Sequence, residues 1–423
     1  MSRPVPTRRA ELSDRLSRVE EAFRTLPERY LGAAPGFDAT YHLRLGDVGH
    51  TWEVRCTTHG ARVRKGVTIR EPDVVIGTDS ATWLQLREGE LSGLDAFSQR
   101  RLYARGELDL AVGFEGLFRL PDNRPPLLRI HDVRVRGARI SSLTSGTGEQ
   151  HVILIHGLGG AKSSFYETVA ALTPEYTVHA IDLPGFGSSS KPLPASYNAQ
   201  FFARHVLRFM DTLAIDRAHL VGNSMGGRVA IEVGLHAPSR VHTLSLLAPS
   251  MAFKRGREWS PLIRLLRPEL AAIPHVLRSN QVRDRFWNMI AEPDSLDPAV
   301  GDIAADEFLR TYRSRTARIA FYAAARQIYL EAPDGQRGFW TRLPKLRPPA
   351  LFIWGSEDPL VPARFSRHVA EALPDAPQVV LPHCGHVPQI ELPERTHDLI
   401  REFVSSAGAS APLRSEERLA RSA

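Results

Sequence analysis

Cysteine is nearly absent from this chain of 423 residues, which contains only Cys56 and Cys384. A disulfide framework needs several cysteines, so the sequence argues against one and favours both thiols as small apolar residues. Neither thiol lies in a spacing that is typical of metal ligands. We therefore predict neither a metal site nor a cofactor.

Lysine and long apolar runs are also scarce. Lysine provides five of the 54 basic residues, so the formal net charge of +7 rests on arginine. Most of the excess of basic over acidic residues lies between residues 251 and 345, which carry 16 basic and 11 acidic side chains. We predict no nucleic-acid partner. No apolar stretch reaches the roughly 18 residues that a membrane-spanning helix needs, and the first residues carry no secretory signal. These absences predict a cytoplasmic protein.

The first 120 residues combine one helical pattern with several alternating ones. In the N-terminal arm, residues 1–26, four apolar residues recur at helical spacing: Leu12, Leu16, Val19 and Phe23. From Tyr41 onwards apolar and polar residues alternate, which predicts a meander of three antiparallel strands and then a fourth strand at residues 73–77. Ser80 is predicted to cap a helix, and the region is predicted to end in a helix over Leu108–Phe118.

Two stretches of this region, Gly89–Phe97 and Leu102–Ala111, resemble the sterol-carrier-protein type of lipid-transfer domain. The resemblance covers residues 27–120. It implies a curved sheet and helices that enclose an apolar tunnel for fatty-acyl or sterol-like ligands. Arg100 departs from the family, which usually has glycine at this position. The alternative is a small α+β domain whose apolar residues fill its own core or mediate dimerisation.

The rest of the chain is predicted to be an α/β domain interrupted by a lid. A proline-rich linker, residues 121–129, precedes strands and helices that alternate over residues 130–250, as in a doubly wound sheet with helices on both faces. Residues 251–345 contain helical patterns without a strand and are predicted to form a helical lid over the sheet. Alternation resumes over residues 346–405, and residues 406–423 are predicted to be disordered.

The sequence Gly222-Asn223-Ser224-Met225-Gly226 lies between a predicted strand and a predicted helix. A serine on such a sharp turn needs residues without bulk two positions before and two positions after it, and both are glycine. The hydroxyl also needs a base, and the base needs an orienting group. The loops after two later predicted strands supply Asp358 and His386, which completes the chain order Ser, Asp, His.

Five motifs spread over residues 130–405 resemble the α/β-hydrolase family: His156–Gly160, Asp182–Ser189, Gly222–Gly227, Gly355–Asp358 and Gly385–Pro393. The resemblance implies Ser224 as the nucleophile, His386 as the general base and then acid, and Asp358 as its orienting carboxylate. It also implies that the backbone amides of Leu158 and Met225 form the oxyanion hole. Amides aimed in advance at a developing oxyanion contribute roughly 3 to 4 kcal/mol per donor.

Neighbouring residues compete for some of these roles. Glu357 is the alternative to Asp358 as the triad acid. His383 is the alternative to His386, and we predict instead that it faces solvent or caps its loop. The resemblance implies that Asp182 heads a structural turn and that His156 positions the oxyanion loop.

This set of residues predicts hydrolysis of a carboxylic ester or thioester through an acyl-enzyme. The lipid-transfer-like domain favours a long-chain acyl or sterol-like substrate, whose local concentration it would raise beside the hydrolase. Asn223 and Pro184–Gly187 also resemble the branch of the family that hydrolyses carbon–carbon bonds in vinylogous diketones. Val387 departs from that branch, which commonly has tryptophan there. A third hypothesis is a lipid-binding or transfer protein with a vestigial hydrolase half.

One segment of the predicted lid suggests a second kind of partner. Ser260–Arg267 reads as a helix with a serine cap and an apolar face flanked by arginines. It suggests either peripheral contact with an anionic bilayer or the admission of an acidic substrate. The alternative is a lid helix that packs on the sheet with its arginines in solvent.

Overall fold

The computed structural model describes residues 8–252 and 278–407. The start of the predicted N-terminal arm, the predicted basic helix Ser260–Arg267 and nearly all of the predicted tail lie outside the described residues. The chain divides into two compact units, Met1–Ile130 with Thr144–Gly146 and His131–Leu143 with Thr147–Ala423.

The first unit contains a five-stranded sheet in the order β3-β2-β1-β4-β5. Its strands are β1 (Asp38–Leu45), β2 (His50–Thr57), β3 (Gly60–Lys65), β4 (Val74–Thr78) and β5 (Leu102–Gly106). Its helices are α1 (Arg8–Arg24), α2 (Ser80–Glu88), α3 (Gly93–Ser98) and α4 (Leu108–Gly113). β1 pairs antiparallel with β2, and β2 with β3, which confirms the predicted meander, while β4 pairs parallel with the other side of β1.

An aromatic stack joins the helices of this unit to its sheet. Phe23 of α1 stacks on Trp52 of β2 at 4.4 Å and on Trp83 of α2 at 4.6 Å between ring centroids. All three side chains are buried. Each such side chain contributes roughly 1.5–3 kcal/mol by leaving water, so the helical spacing that ends at Phe23 marks the face of α1 that packs on the core.

The cap of α2 corrects one prediction. Asp79, not Ser80, is the N-cap residue, and its carboxylate accepts a hydrogen bond from the Thr82 amide at 2.8 Å. Ser80 is instead the first helical residue, and its amide donates to Asp47 at 2.8 Å. Serine and aspartate are both favourable N-cap residues. Asp79 has the extended backbone of an N-cap residue, and its carboxylate accepts the capping hydrogen bond.

The last helix of this unit is shorter than predicted. The helix expected over Leu108–Phe118 ends at Gly113, and a 3₁₀ turn follows at Glu115–Leu117. Gly116 packs against the backbone of a later segment of the same chain. A Cβ on Gly116 would lie 2.7 Å from the Leu128 carbonyl oxygen. This close approach of two backbones is a tertiary constraint that the local apolar pattern does not contain.

The second unit is built on an eight-stranded sheet in the order β13-β12-β11-β10-β8-β9-β7-β6. Its strands are β6 (Leu128–Val135), β7 (Ala138–Ser145), β8 (His151–Ile155), β9 (Thr177–Ile181), β10 (Ala218–Asn223), β11 (Val241–Leu247), β12 (Ala350–Gly355) and β13 (Gln378–Leu381). The strands from β13 to β9 are all parallel to their neighbours. Their carboxyl ends therefore lie at one edge of the sheet, where an open α/β sheet places its ligands.

The helices of the second unit cover this sheet. They are α5 (Tyr166–Leu172), α6 (Ala199–Thr212), α7 (Met225–His236), α8 (Ser279–Trp287), α9 (Pro298–Tyr312), α10 (Arg315–Tyr329), α11 (Phe339–Arg342), α12 (Phe365–Ala372), α13 (Pro388–Glu391) and α14 (Pro393–Ala407). In β8 the run from Val152 to Ile155 is fully buried, as expected for a strand covered on both faces.

The described part of the insertion between β11 and β12 consists of helices joined by turns and contains no strand, as predicted. This part of the chain divides into α9 and α10 at Ser314, whose backbone is extended with φ −71° and ψ 130°. The break lets the chain reverse, and the hydroxyls of Tyr312 and Tyr322 lie 2.8 Å apart. None of the described helices is long and apolar enough to cross a bilayer.

Both cysteines are buried and free, as the sequence predicted. Burial raises the pKa of Cys56 to about 12 and also raises the pKa of Cys384. Both groups are therefore protonated at neutral pH and behave as small apolar side chains.

Buried histidines make the second unit sensitive to acid. Burial, reinforced by neighbouring histidines, lowers the pKa of His179 and of His219 to about 3, and burial lowers the pKa of His397 to about 4. In the unfolded chain these groups have pKa values of about 6.5. The unfolded state therefore binds more protons between these pH limits. The contribution of these three histidines to the free energy of unfolding is fully present above about pH 6.5 and is lost as the pH falls below it.

We expect the free energy of unfolding to fall by up to about 1.4 kcal/mol per pH unit for each of these histidines between pH 6.5 and 4. Urea denaturation at several pH values measures this slope. His219→Gln, which keeps a neutral side chain beside Thr243, should reduce the slope by about one proton. An unchanged slope in this variant would show that His219 is not the group that takes up the proton.

Candidate active site

Ser224 occupies a sharp turn between β10 and α7. Its backbone has φ 53° and ψ −116°, a conformation that costs an L-residue on the order of 1–3 kcal/mol. Hydrogen bonds hold it there: the Ser224 amide donates to the Leu247 carbonyl at 2.9 Å, and the Ser224 carbonyl accepts from the Ser250 amide at 2.9 Å. α7 begins at Met225, so the serine stands directly at the helix N-terminus.

The two glycines that flank Ser224 are required by backbone contacts. A Cβ on Gly222 would lie 2.4 Å from the Gly226 carbonyl oxygen, and a Cβ on Gly226 would lie 1.9 Å from the Ile155 carbonyl oxygen. Neither contact involves a flexible side chain that could move away. The need for residues without bulk, inferred from the sequence, thus has its cause in the crossing of β8, β10 and α7.

His386 and Asp358 are in direct contact. The Nδ1 atom of His386 lies 2.8 Å from Oδ2 of Asp358, and both side chains are buried. The other oxygen of Asp358 accepts hydrogen bonds from the amides of Leu360 at 2.7 Å and Val361 at 2.9 Å. A carboxylate held in this way fixes the imidazole so that Nδ1 carries the proton and Nε2 is free to act as a base.

The two competing residues lie apart from this pair. His383 and Glu357 have side chains that are 71% and 53% exposed, and His383 Nδ1 is 3.1 Å from Glu292 Oε1 and 3.8 Å from Glu357 Oε1. They belong to a solvent-exposed charged group. The geometry favours Asp358 over Glu357 as the partner of His386.

Asn223 links the serine loop to the histidine loop. Its side-chain nitrogen donates to the carbonyls of Leu247 at 3.1 Å and His386 at 3.0 Å. Because Asn223 directly precedes Ser224, these bonds hold the loop of His386 beside the serine turn. The sequence offered Asn223 only as a family marker, since the partner of its amide is 163 residues away.

The loop after β8 lies against Ser224. A Cβ on Gly157 would be 3.3 Å from Ser224 Cβ, and the next residue is Leu158. His156 holds this loop: its Nδ1 lies 2.7 Å from the Gly157 carbonyl oxygen, and its Nε2 accepts from the Leu183 amide at 3.0 Å. Burial lowers the pKa of His156, so the imidazole is neutral and serves one neighbour as donor and the other as acceptor.

Asp182 is a buried anchor of the adjacent turn. Its carboxylate accepts from the Lys162 amide at 2.7 Å, the Lys162 ammonium at 2.9 Å and the Ser188 amide at 2.8 Å. Its oxygens are thus engaged by structural partners, in agreement with the turn role that the resemblance implied. Lys162, which is fully buried, was missed because its partner lies 20 residues away.

Two helices of the insertion between β11 and β12 place aromatic rings against the loop of Leu158. A Cβ on Gly159 would lie 3.1 Å from ring carbons of both Phe308 in α9 and Phe321 in α10. These two rings pack edge to face at 5.6 Å between centroids. The loop that carries Leu158, a predicted oxyanion-hole residue, is therefore covered by apolar rings.

A buried charge network ties α7 to the end of the lid. Arg228 donates to Glu331 at 2.7 Å and to Glu232 at 2.9 Å, and Arg342 donates to Glu232 at 2.8 Å. Two cations and two anions balance. The sequence did not reveal this network, because Glu331 and Arg342 lie about 100 residues after Arg228 and Glu232 in the chain.

Glu391 accepts hydrogen bonds from the backbone on both sides of His386. Its carboxylate accepts from the amides of Gly385 at 2.7 Å and Val387 at 2.9 Å, on either side of the histidine, and from the lid amide of Ala291 at 2.8 Å. In the sequence Glu391 served only as part of a motif. The structure makes it a residue that positions the histidine loop.

We expect Glu391→Gln to lower kcat by on the order of 10- to 100-fold with little change in KM, because an amide nitrogen cannot accept the bonds that hold this loop and small displacements of a catalytic base are costly. Glu394→Gln, the same substitution at an exposed glutamate one turn away, is the control and should leave kcat unchanged. A loss of activity that follows only from a lower melting temperature would contradict a positioning role.

No group of three or more histidine, cysteine, aspartate or glutamate side chains in the described ranges is arranged to hold a metal ion.

Comparison with known proteins identifies two families along the chain. The family described as alpha/beta hydrolase fold matches residues 150–393, and the SCP-2 sterol transfer family matches residues 20–119.

Individual relatives cover the hydrolase part. A 2-hydroxy-6-oxononadienedioate/2-hydroxy-6-oxononatrienedioate hydrolase of Paraburkholderia phymatum is 29% identical over 63% of this chain and 91% of its own length. A pimeloyl-[acyl-carrier protein] methyl ester esterase of Aeromonas hydrophila is 30% identical over 60% of this chain and 94% of its own length. The crystal structure of a bacterial membrane phospholipase A is similar with a TM-score of 0.57 and 27% identity, over 67% of this chain and 87% of that one.

Proposed function

Because this chain belongs to the α/β-hydrolase fold family and carries an SCP-2 sterol transfer domain before its hydrolase domain, we propose that it is a serine hydrolase of lipid esters or thioesters. The proposed substrate carries a long-chain acyl or sterol-like group. The N-terminal domain binds lipid and keeps it at high local concentration through the covalent link between the domains.

The proposed mechanism uses three side chains and two amides. His386 takes the proton of the Ser224 hydroxyl as the oxygen attacks the substrate carbonyl, and Asp358 stabilises the resulting imidazolium. The amides of Leu158 and Met225 donate to the oxyanion. His386 then protonates the leaving group, and water, activated by the same histidine, hydrolyses the acyl-enzyme.

The observation that carries this proposal is the joint geometry of the serine turn and the histidine pair. Ser224 stands at the N-terminus of α7 with φ 53°, and His386 contacts Asp358 at 2.8 Å while its backbone is bonded to Asn223. A strained serine backbone in this setting is expected where the hydroxyl reacts and is a cost without benefit elsewhere.

Two observations support a lipid substrate. Phe308 and Phe321 place apolar rings against the loop of Leu158, where an acyl chain would lie. The similar membrane phospholipase A and the similar methyl ester esterase are, by their names, enzymes of lipid or acyl esters. A long-chain substrate accounts for both the apolar wall and the fused SCP-2 domain.

Hydrolysis of a carbon–carbon bond is the second candidate, favoured by the similar 2-hydroxy-6-oxononadienedioate hydrolase. Its substrate is a dicarboxylate, whereas the wall over Gly159 is aromatic and apolar. Comparing kcat/KM for long-chain p-nitrophenyl esters with that for a vinylogous diketone acid separates the two candidates. A higher value for the diketone would refute the ester proposal.

Covalent labelling tests whether the hydrolase domain is active at all. A fluorophosphonate probe should label the full chain at one site, and the label should disappear in Ser224→Ala but not in Ser239→Ala, an exposed serine of the same domain. Persistence of the label in Ser224→Ala would exclude Ser224 as the nucleophile. Failure of the native chain to label would favour a lipid-binding protein with a vestigial hydrolase half.

A further inference from the structure

One face of the five-stranded sheet in the first unit packs in the core, and the other face is rich in arginine. Residues that lie directly opposite each other on paired strands point to the same side of the sheet. One row across the strands from β3 to β5 consists of Arg64, Glu53, His42, Val75 and Arg105. The rows on either side of it contain Arg62, Arg55 and Thr40, and Thr51, Arg44, Gly77 and Tyr103. This face, the outer face of the sheet, therefore holds five arginines.

Most of these arginines lack an acidic partner. Four of them are exposed and form no ion pair with a described residue: Arg44, Arg62, Arg64 and Arg105. The fifth, Arg55, pairs with Asp38 at 2.6 Å. The five strands contain one further acidic residue, Glu53. Like charges on one face of a sheet repel each other, so the outer face keeps a positive charge that its own strands do not neutralise.

Glu53 holds an apolar loop against the outer face. Its carboxylate accepts hydrogen bonds from the amides of Thr68 at 2.8 Å and Ile69 at 2.9 Å, and from the Thr68 hydroxyl. Burial opposes ionisation of this carboxyl group, but the hydrogen bonds outweigh it and lower the pKa of Glu53 to about 2. The carboxylate is therefore engaged by the loop rather than by Arg64, which lies opposite it on β3. Two side chains of the loop are exposed, Val67 by 50% and Ile69 by 37%.

Tyr103 adds an aromatic ring to the same face. A Cβ on Gly77 would lie 2.0 Å from ring carbons of Tyr103, so the ring lies directly over this glycine of the neighbouring strand. Covering a strand glycine accounts for one side of the ring. The residue is nevertheless 54% exposed, and Arg44 flanks Gly77 from β1. An aromatic ring and an unpaired guanidinium therefore lie side by side in solvent.

Arginines beside exposed apolar side chains fit the surface of an anionic bilayer. Arginine binds phosphate groups with paired N–H donors, and each basic residue near an anionic bilayer strengthens binding. Aliphatic side chains gain by entering the boundary between head groups and acyl chains, and tyrosine is favoured there because its ring is apolar and its hydroxyl is polar. A soluble polyanion would pair with the arginines but would leave the exposed valine and isoleucine without a partner.

We propose that the outer face of this sheet docks on the surface of an anionic lipid bilayer. The arginines contact the lipid phosphates, while Val67, Ile69 and Tyr103 enter the boundary between head groups and acyl chains. The contact holds the first unit at the membrane, where poorly soluble lipids reside. This docking goes beyond hydrolysis at Ser224 and does not depend on it.

Vesicle binding without turnover tests the proposal. Full-length Ser224→Ala protein should sediment with vesicles of equal parts phosphatidylglycerol and phosphatidylcholine, and much less with phosphatidylcholine alone. Arg44→Gln combined with Arg105→Gln should weaken binding to the anionic vesicles by on the order of 30-fold at physiological salt. Val67→Ser combined with Ile69→Ser should weaken it by on the order of 10-fold, and this ratio should not depend on salt, because the lost contact is apolar.

Matched controls separate this face from the rest of the chain. Arg119→Gln combined with Arg129→Gln removes two exposed arginines of the same unit that lie outside this sheet, and it should leave vesicle binding nearly unchanged. Cys56 and Cys384 are buried, so a polarity-sensitive maleimide dye will label a cysteine introduced as Val67→Cys or, for the control, as Arg119→Cys. Anionic vesicles should shift the emission of the dye at position 67 to the blue and leave that of the control dye unchanged.

Several results would overturn the proposal. One is an equal loss of binding in both arginine pairs, and another is a dye at position 67 that does not respond to vesicles. Binding that persists in both the arginine and the apolar variants of the outer face would place the membrane contact elsewhere, as in the predicted helix Ser260–Arg267. Tight binding of heparin, weakened by Arg44→Gln with Arg105→Gln while vesicles fail to bind, would assign the face to a soluble acidic partner. Each result is independent of whether the hydrolase domain cleaves esters.

Discussion

Ser224→Ala will lower kcat for long-chain ester hydrolysis by on the order of 10⁶-fold, because the proposed acyl-enzyme needs the serine oxygen and the remaining site supplies only oxyanion stabilisation and binding. Asp358→Asn should lower kcat by about 10⁴-fold, since an asparagine at this position favours the wrong tautomer of His386. Stopped or continuous assays with p-nitrophenyl palmitate measure both effects.

Matched variants decide between neighbouring carboxylates. Glu357→Gln should change kcat little, because its side chain is 53% exposed and faces His383. Ser239→Ala controls for the loss of an exposed hydroxyl. If Glu357→Gln proves more damaging than Asp358→Asn, then the assignment of the orienting carboxylate is wrong.

Gly226→Ala should prevent folding of the hydrolase domain or cost more than about 3 kcal/mol of stability. The new Cβ would lie 1.9 Å from the Ile155 carbonyl oxygen and 2.7 Å from that of His156, at the carboxyl end of a central strand. Overpacking of a rigid core costs about 1–3 kcal/mol when side chains can adjust, and here only backbone could move.

Soluble yield and urea denaturation measure this effect. Gly160→Ala, in the loop that follows β8, is the control, because a Cβ there meets its nearest atom at 3.4 Å, an ordinary contact. We expect Gly160→Ala to unfold within about 1 kcal/mol of the native chain. A Gly226→Ala protein with native stability would show that β8 and α7 can separate, and the steric account of the serine turn would fail.

Much of the fold could be predicted because the relevant information is local. The alternation that begins at Tyr41 became an antiparallel meander, and the alternating strands and helices predicted over residues 130–250 include the parallel strands β8 and β9. These patterns report which faces of a strand are buried, and burial dominates the energetics of such elements. Boundaries were less accurate, as the cap at Asp79 and the early end at Gly113 illustrate, because several residues near each boundary are chemically suitable.

Part of the candidate site could be predicted from the sequence for a different reason. In a parallel sheet, the residues that follow each strand share one edge, so Ser224, Asp358 and His386 could be grouped from chain order alone. Their supporting residues could not. Asn223, Lys162 and, through its bond to Ala291, Glu391 act through hydrogen bonds whose partners lie in other loops, and an amide or carboxylate in sequence does not identify its partner.

By itself, the sequence determined the family, the two-domain order and the residue types placed at the sheet edge, because strand and helix periodicity and motif order are properties of the chain. Only the tertiary structure paired His386 with Asp358 rather than Glu357 and put Phe308 and Phe321 against the loop of Leu158. Each of these depends on which distant groups share a low-dielectric interior. In such an interior, hydrogen bonds and charge pairs are stronger than in water, and a buried polar group without a partner is costly.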